Sequence, residues 1–274
     1  MNSPFVTGLP AAKRYSVCEH VLRLGDLAGD LDAAVNGGAS GFSLNASDFG
    51  DVTLRDARRM IDDSGLAITS YIDPALMFLG PLRPDLDAIA RGFEDAASLG
   101  APCFLFIAGG PTPRTVEAAD RQLVDVLAEV RERTAATGVR PMLEPLHPMA
   151  RDLSYVHTLR HGLSITRQVE GAGIVVDTGA SWWERDLLAD VAANLDSVFA
   201  IQITDVRADE MLKRVYVREE CRAASAVPVA ELVLAFVDAG YEGWFEHEVL
   251  DRRSRDARIR MVADDRIWFE SLWE

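Results

Sequence analysis

Four side chains that can bind a divalent metal lie at the ends of apolar runs in the second half of the chain: Glu144, Asp177, Gln202 and Glu248. A carboxylate buried in or just after a strand costs several kcal/mol unless something compensates its charge. Any one of these residues alone is as typical of a helix N-cap or an arginine partner. Three carboxylates and an amide on four different strands favour one shared compensator, and these oxygen ligands suit a hard ion such as Mg2+ or Mn2+.

Short apolar runs alternate along the chain with segments whose apolar residues recur at helical spacing. The runs cover residues 15–18, 41–44, 67–72, 103–108, 141–146, 173–177, 200–204 and 244–250, and the clearest helical segments cover 54–64, 86–99, 116–136, 156–169, 187–195 and 229–239. This alternation predicts a parallel sheet. Eight units in about 250 residues predict a single (β/α)8 TIM barrel as one domain over residues 1–274. An open doubly wound sheet normally has a glycine-rich turn after its first strand, and residues 17–22 show none.

The barrel makes the four strand-end residues neighbours, because side chains at the carboxyl ends of barrel strands converge on one face. Glu246 competes with Glu248 for the last place, since strand alternation puts both on the same face. The segment 205–227 is long and irregular for a loop between a strand and a helix, which is typical of a functional loop.

The composition limits the classes of partner. A formal charge of -15 disfavours binding to nucleic acid and to an anionic membrane surface. The three cysteines, Cys18, Cys103 and Cys221, have no metal-ligand or redox spacing, which fits a reducing compartment. The sequence has no signal peptide pattern and no apolar stretch of about 18 residues, so we expect a cytoplasmic protein.

Four segments resemble the sugar phosphate isomerase/epimerase superfamily, whose members have a xylose isomerase-like barrel. They read LEPLHPM at 143–149, VVDTGASWW at 175–183, IQITD at 201–205 and GYEGWFEHEVL at 240–250. The resemblance implies a divalent metal held by Glu144, Asp177, Gln202 and Glu248, and it favours Glu248 over Glu246. Mn2+ or Mg2+ is the expected ion, with Co2+ and Zn2+ as alternatives. A glutamine ligand is similar to that of hydroxypyruvate isomerases in the superfamily.

The resemblance also implies the reaction and the partners. We expect a sugar isomerase or epimerase that acts on a small sugar or hydroxy-ketone through a metal-stabilised enediolate, with Glu144 and Glu248 as the catalytic carboxylates. Many relatives carry a histidine three residues after the metal aspartate, where this chain has Ala180. That departure keeps two alternatives open: a dehydratase or lyase acting on a keto-sugar or cyclitol, and a catalytically lapsed barrel with a binding role. Relatives are often dimers or tetramers, so a homodimer or homotetramer is expected.

Other residues near the predicted site are candidates for substrate contact. His147, Arg207, Trp183 and Tyr71 follow or end predicted strands and are assigned to substrate binding. Each has a simpler alternative as a loop or packing residue. His20 follows the first strand, where a structural role is the simpler expectation.

Overall fold

The computed structural model describes residues 5–23, 25–74, 84–110, 114–212, 216–249 and 253–274, and these form a closed barrel. The strands are β1 (Tyr15–Cys18), β2 (Gly41–Asn45), β3 (Ala67–Ile72), β4 (Cys103–Ile107), β5 (Arg140–Glu144), β6 (Gly173–Asp177), β7 (Val198–Ile203), β8 (Asp205–Val206), β9 (Arg218–Glu219) and β10 (Trp244–His247). Eight of them close in the order β1-β10-β7-β6-β5-β4-β3-β2, and every neighbouring pair is parallel. The predicted (β/α)8 barrel is confirmed.

Helices follow the strands around the barrel. They are α1 (Glu19–Leu22), α2 (Leu27–Asn36), α3 (Leu54–Ser64), α4 (Leu86–Leu99), α5 (Val116–Thr134), α6 (Leu159–Thr166), α7 (Thr178–Ser181), α8 (Leu187–Ala192), α9 (Ala208–Leu212), α10 (Val229–Asp238) and α11 (Arg255–Ser271). Short 3-10 turns cover Ala11–Lys13, Ala46–Asp48, Ala135–Thr137, Pro148–Ala150, Leu195–Ser197 and Cys221–Ala223.

Local signals in the sequence set where several helices begin and end. Thr53 and Thr158 begin α3 and α6, and their hydroxyls accept a backbone N–H three residues ahead at 3.2 Å. Gly65 and Gly100 end α3 and α4 with φ of 72° and 85°, a left-handed conformation that a side chain would strain. The observed α3 and α4 match the predicted segments 54–64 and 86–99, whereas α6 is shorter than the predicted segment 156–169.

The barrel interior has an apolar floor beneath the strand ends. Met142, Val175 and Ala200 lie two residues before Glu144, Asp177 and Gln202, so strand alternation gives them the same face. They belong to a buried cluster completed by Phe5, Cys103, Leu105 and Phe199. The ring of Phe5 stacks on Phe199 with the centroids 3.9 Å apart. The polar side chains above this floor are therefore held in a packed core.

The last helix packs against the barrel wall. Phe269 of α11 is fully buried, with ring centroids 5.5 Å from Tyr15 and 5.4 Å from Phe245. The 17 residues of this helix, Arg255–Ser271, therefore cover the outside of the strands that close the barrel. Among the described residues, no helix combines the length and apolar character needed to cross a bilayer.

Candidate metal centre

Three carboxylates meet at the carboxyl ends of the barrel strands. Glu144 ends β5, Asp177 ends β6, and Glu248 follows β10 directly. All three are buried, and one oxygen from each lies within 4.8 Å of the others. Asp177 also caps α7, since its Oδ1 accepts the Gly179 N–H at 2.9 Å. The structure therefore brings together three of the four predicted metal ligands.

Gln202 lies on β7, between these strands. It is opposite Asp177 in the pairing with β6 and opposite Glu246 in the pairing with β10. Its side chain is buried and hydrogen-bonds Glu246, while its Oε1 finds no partner among the residues described. A buried amide oxygen without a partner is costly, and a cation is the kind of group that would satisfy it.

Glu246 lies deeper in the barrel than Glu248 and has a different environment. Its Oε1 accepts hydrogen bonds from Thr69 at 2.6 Å and from Ser70 at 2.8 Å. Burial raises the pKa of Glu246 to about 7, although these hydrogen bonds oppose the shift. The two glutamates therefore share a face but not a site, a distinction that strand alternation could not make. His247, between them, faces outward and lies 3.0 Å from Asp265.

Arg218 of β9 lies among the three carboxylates, although no sequence motif marks it. Its Nη2 is 2.8 Å from Asp177 Oδ2 and 3.9 Å from Glu144 Oε1, and its Nη1 contacts Glu248. With every group ionised, three carboxylates and one guanidinium leave two negative charges in a buried site. The Glu144 Oε1 atom also lacks a hydrogen-bond partner within the described part of the chain. The residues present therefore fit a divalent cation.

The segment predicted as a functional loop delivers Arg218 to this site. β8 and β9 pair antiparallel, with Asp205 opposite Glu219 and Val206 opposite Arg218. Buried Asp205 holds the base of the loop, because its carboxylate accepts the backbone N–H groups of Val206 and of residues 225–227. The loop residues 213–215 lie outside the described residues.

The environment shifts the pKa of each carboxyl group. Burial raises the pKa of Glu144 well above its usual value, and the charges of Glu248 and Asp177 raise it further. Burial also raises the pKa of Asp177 to about 6, although Arg218 works against that shift. For Glu248, burial acts in the same sense, but Arg218 and His20 outweigh it and lower its pKa to about 2. Arg218 and the contact with His20 thus hold Glu248 ionised.

A cavity of about 1080 Å³ opens above the carboxylates, large enough for a small-molecule substrate. Its lining includes His20, His147, Arg207 and Tyr216. His20 Nε2 is 3.1 Å from Glu248 Oε1, so this histidine lies beside the carboxylates. The sequence could not show this contact, because it arises where barrel closure places the first strand beside the last.

His147 and Arg207 face the cavity as predicted for substrate-binding residues. The ring of His147 stacks on Tyr216 with the centroids 5.1 Å apart. Burial lowers its pKa, and His157 adds to that effect. Arg207 is 43% exposed and pairs with Asp209 at 3.2 Å. Both residues are therefore placed to contact a bound molecule.

Trp183 and Tyr71, the other two residues predicted to bind substrate, make mainly packing contacts. Tyr71 is buried on β3 against the rings of Phe49 and Phe104, at centroid distances of 6.4 and 5.5 Å. Trp183 donates to the Ala180 carbonyl at 2.7 Å and meets His147 edge-on. Neither is among the described residues that line the cavity. Tyr71 therefore packs among aromatic rings of the core, and Trp183 contacts the cavity lining through the ring of His147.

Comparison with known proteins places this fold in a family. The family model described as the xylose isomerase-like TIM barrel matches residues 31–272. The protein therefore belongs to the xylose isomerase-like TIM barrel family. No protein with a curated description matches the sequence significantly.

Solved structures with the same fold include three that cover nearly the whole chain. Protein SMc04130 from Sinorhizobium meliloti 1021 is 24% identical with a TM-score of 0.80, over 93% of this chain and 97% of that one. The IolI protein, solved with a bound zinc atom, is 16% identical with a TM-score of 0.77, over 94% and 98%. An L-ribulose 3-epimerase is 15% identical with a TM-score of 0.75, over 93% and 92%. At these identities the likeness establishes the shared fold.

Proposed function

We propose that this protein is a divalent-metal-dependent isomerase or epimerase of a small sugar or hydroxy-ketone. The observation that carries the proposal is the buried triad of Glu144, Asp177 and Glu248, with oxygens within 4.8 Å of one another at the floor of an open cavity. Gln202 adds an unpaired amide oxygen on the strand between them. The epimerase and the zinc-bound IolI among proteins of this fold agree with the proposal.

The four predicted ligands would hold the ion, and the same side chains would act on the substrate. A bound divalent ion supplies Lewis-acid polarisation of a carbonyl and its neighbouring hydroxyl. Glu144 and Glu248 lie on β5 and just after β10, with β6 and β7 between those strands, so they approach the cavity floor from two sides. One carboxylate, in its ionised form, would remove the proton next to the carbonyl. The other, carrying a proton of its own, would deliver that proton to the neighbouring carbon or to the opposite face. His20 and Arg218 hold Glu248 in place through contacts with its two oxygens.

Metal binding is the first part of the test. The purified protein is dialysed against Mn2+ and then against metal-free buffer, and the bound metal is counted by mass spectrometry. We expect one ion per chain in the wild type and none in Asp177→Asn, because the variant loses one of three buried charges. Asp265→Asn is the matched control: Asp265 is a fully buried carboxylate that belongs to a separate cluster with Cys221 and His247. A wild type without metal, or a control that loses it equally, would contradict the proposal.

Reaction chemistry is the second part. The Mn2+-loaded protein is incubated in heavy water with a panel of pentoses, hexoses and short hydroxy-ketones, and the products are read by NMR. Deuterium at the carbon next to the carbonyl, without loss of water from the molecule, supports isomerisation or epimerisation. Glu144→Gln and Glu248→Gln should each reduce the exchange by at least about a hundredfold.

Dehydration is the second candidate reaction, and the residue at position 180 is the observation that favours it. Ala180 lines the cavity with a methyl group where many relatives carry histidine, so the wall beside Asp177 differs chemically from theirs. A dehydratase would remove the same proton and expel a neighbouring hydroxyl. An unsaturated product with loss of one water in the NMR experiment would select this reaction over isomerisation.

A further inference from the structure

Tyr216 is placed on the cavity wall by the β8–β9 loop. Its ring lines the cavity and stacks on His147 at an interplanar angle of 18°. It precedes Arg218 by two residues, and Arg218 contacts Asp177 and Glu248. The loop therefore brings a phenol and a guanidinium to the same side of the carboxylate triad.

The hydroxyl of Tyr216 is buried but unsatisfied. It is shielded from solvent and makes no hydrogen bond to any residue that the structure describes. Its electrostatic neighbours are Asp177, Arg218, Glu248 and Glu144, the residues of the site. A buried hydroxyl without a partner costs free energy, so such a group in a native site points to a partner from outside the chain, such as a ligand.

The backbone beside Asp177 leaves room for this hydroxyl. A Cβ added to Gly179 would lie 2.9 Å from Tyr216 Oη and 2.5 Å from the methyl group of Thr204. The next residue, Ala180, contributes only a methyl group to the cavity. The phenol oxygen therefore lies directly over the turn that follows Asp177, where neither neighbour offers it a side-chain partner.

We propose that the Tyr216 hydroxyl donates a hydrogen bond to a substrate oxygen bound next to Asp177, which makes Tyr216 a substrate-binding residue. This inference rests on the proposed function, since it assumes a substrate with adjacent oxygens at the triad. A neutral phenol is a donor at neutral pH, and a carbonyl or alkoxide oxygen is a suitable acceptor. The hydrogen bond supplies the polar contact that Ala180 cannot make.

The test measures binding of glycolohydroxamate, a small ligand that presents two adjacent oxygens to a metal. Isothermal titration gives its Kd for the Mn2+-loaded wild type and for Tyr216→Phe, which removes one oxygen atom and keeps the ring. We expect the variant to bind Mn2+ within about twofold of the wild type and glycolohydroxamate about tenfold more weakly, the size of one hydrogen bond. Tyr155→Phe is the control, because Tyr155 packs edge-on against His161 and does not belong to the described cavity lining.

The outcomes separate this inference from the proposed function. If Tyr216→Phe binds glycolohydroxamate as tightly as the wild type, the role of Tyr216 is refuted and the metal site stands. If the variant loses Mn2+ affinity to the same degree, the hydroxyl supports the metal ligands and not the substrate, which also overturns the inference. If Tyr155→Phe weakens glycolohydroxamate binding as much as Tyr216→Phe does, the effect is not specific to Tyr216 and the inference is again overturned. A wild type that binds neither Mn2+ nor glycolohydroxamate overturns both proposals.

Discussion

Replacing Arg218 with methionine is expected to destabilise the metal-free protein and to tighten its binding of Mn2+. The guanidinium contacts Asp177 and Glu248 and lies 3.9 Å from Glu144 in a buried site. Methionine fills a similar volume without the charge. Removing one partner of a buried ion pair costs about 3–5 kcal/mol, because the remaining charges lose their compensation. For a chain of this size, that loss lowers Tm by roughly 10 °C.

The effect on metal affinity has the opposite sign. An ion at the triad shares its carboxylates with Arg218 in the wild type, and two cations that share a buried anion repel each other by several kcal/mol. Without that repulsion, Arg218→Met should bind Mn2+ at least about tenfold more tightly, a difference of about 1.4 kcal/mol. Added Mn2+ should then restore more stability to the variant than it gives to the wild type.

Two measurements check this reasoning. Urea denaturation gives the free energy of unfolding with and without Mn2+, and titration followed by the EPR signal of free Mn2+ gives the Kd. Arg207→Met is the matched control, because Arg207 lines the same cavity but is 43% exposed, and its removal should change stability by no more than about 0.5 kcal/mol. Unchanged stability of metal-free Arg218→Met, or weaker binding of Mn2+, would refute the assignment of Arg218 as the internal counter-ion of the triad.

Three other changes have defined outcomes. Gln202→Leu removes the unpaired amide oxygen at nearly constant volume and should weaken Mn2+ binding about tenfold by titration, whereas equal affinity would remove Gln202 from the ligand set. The folded-state pKa of Glu246 is raised from 4.5 to about 7, so its contribution to stability is present at low pH and is lost as pH rises from about 4.5 through 7. Glu246→Gln should therefore flatten the pH dependence of the free energy of unfolding between pH 5 and 7.5, by up to about 3 kcal/mol, and a parallel pH profile would contradict this. Asp205→Ala removes the acceptor of several backbone N–H groups and should speed hydrogen exchange in residues 205–227 while the barrel strands stay protected; unchanged exchange would show that the loop is held by other contacts.

The barrel and the candidate metal ligands could be predicted from the sequence because their signals are local. Continuous apolar runs mark strands buried on both faces, and the residue that ends each run is fixed by counting along the strand. Glu144 and Asp177 could be placed in this way, since strand ends of a parallel barrel converge whatever the loops do. The helix boundaries at Thr53 and Gly65 follow from the same kind of local chemistry.

The depth of a side chain in the barrel and its contacts with distant parts of the chain could be learned only from the tertiary structure. Strand alternation repeats every two residues, so it gave Glu246 and Glu248 the same face and could not show that Glu246 is bound by Thr69 and Ser70 below the site. The same limit applies to Tyr71. A tyrosine near a strand end suits a substrate pocket, but its ring packs against Phe49 and Phe104.

The sequence by itself determined a (β/α)8 barrel with four potential metal ligands at consecutive strand ends, because hydrophobic period and strand-end position are properties of neighbouring residues. Only the tertiary structure decided what surrounds those ligands. Arg218 and Tyr216 come from a loop without periodicity, and they reach the triad because Asp205 closes that loop on its own backbone. His20 reaches Glu248 because closure of the barrel puts the first strand beside the last. Contacts of this kind depend on where the chain returns in space, which no local pattern encodes.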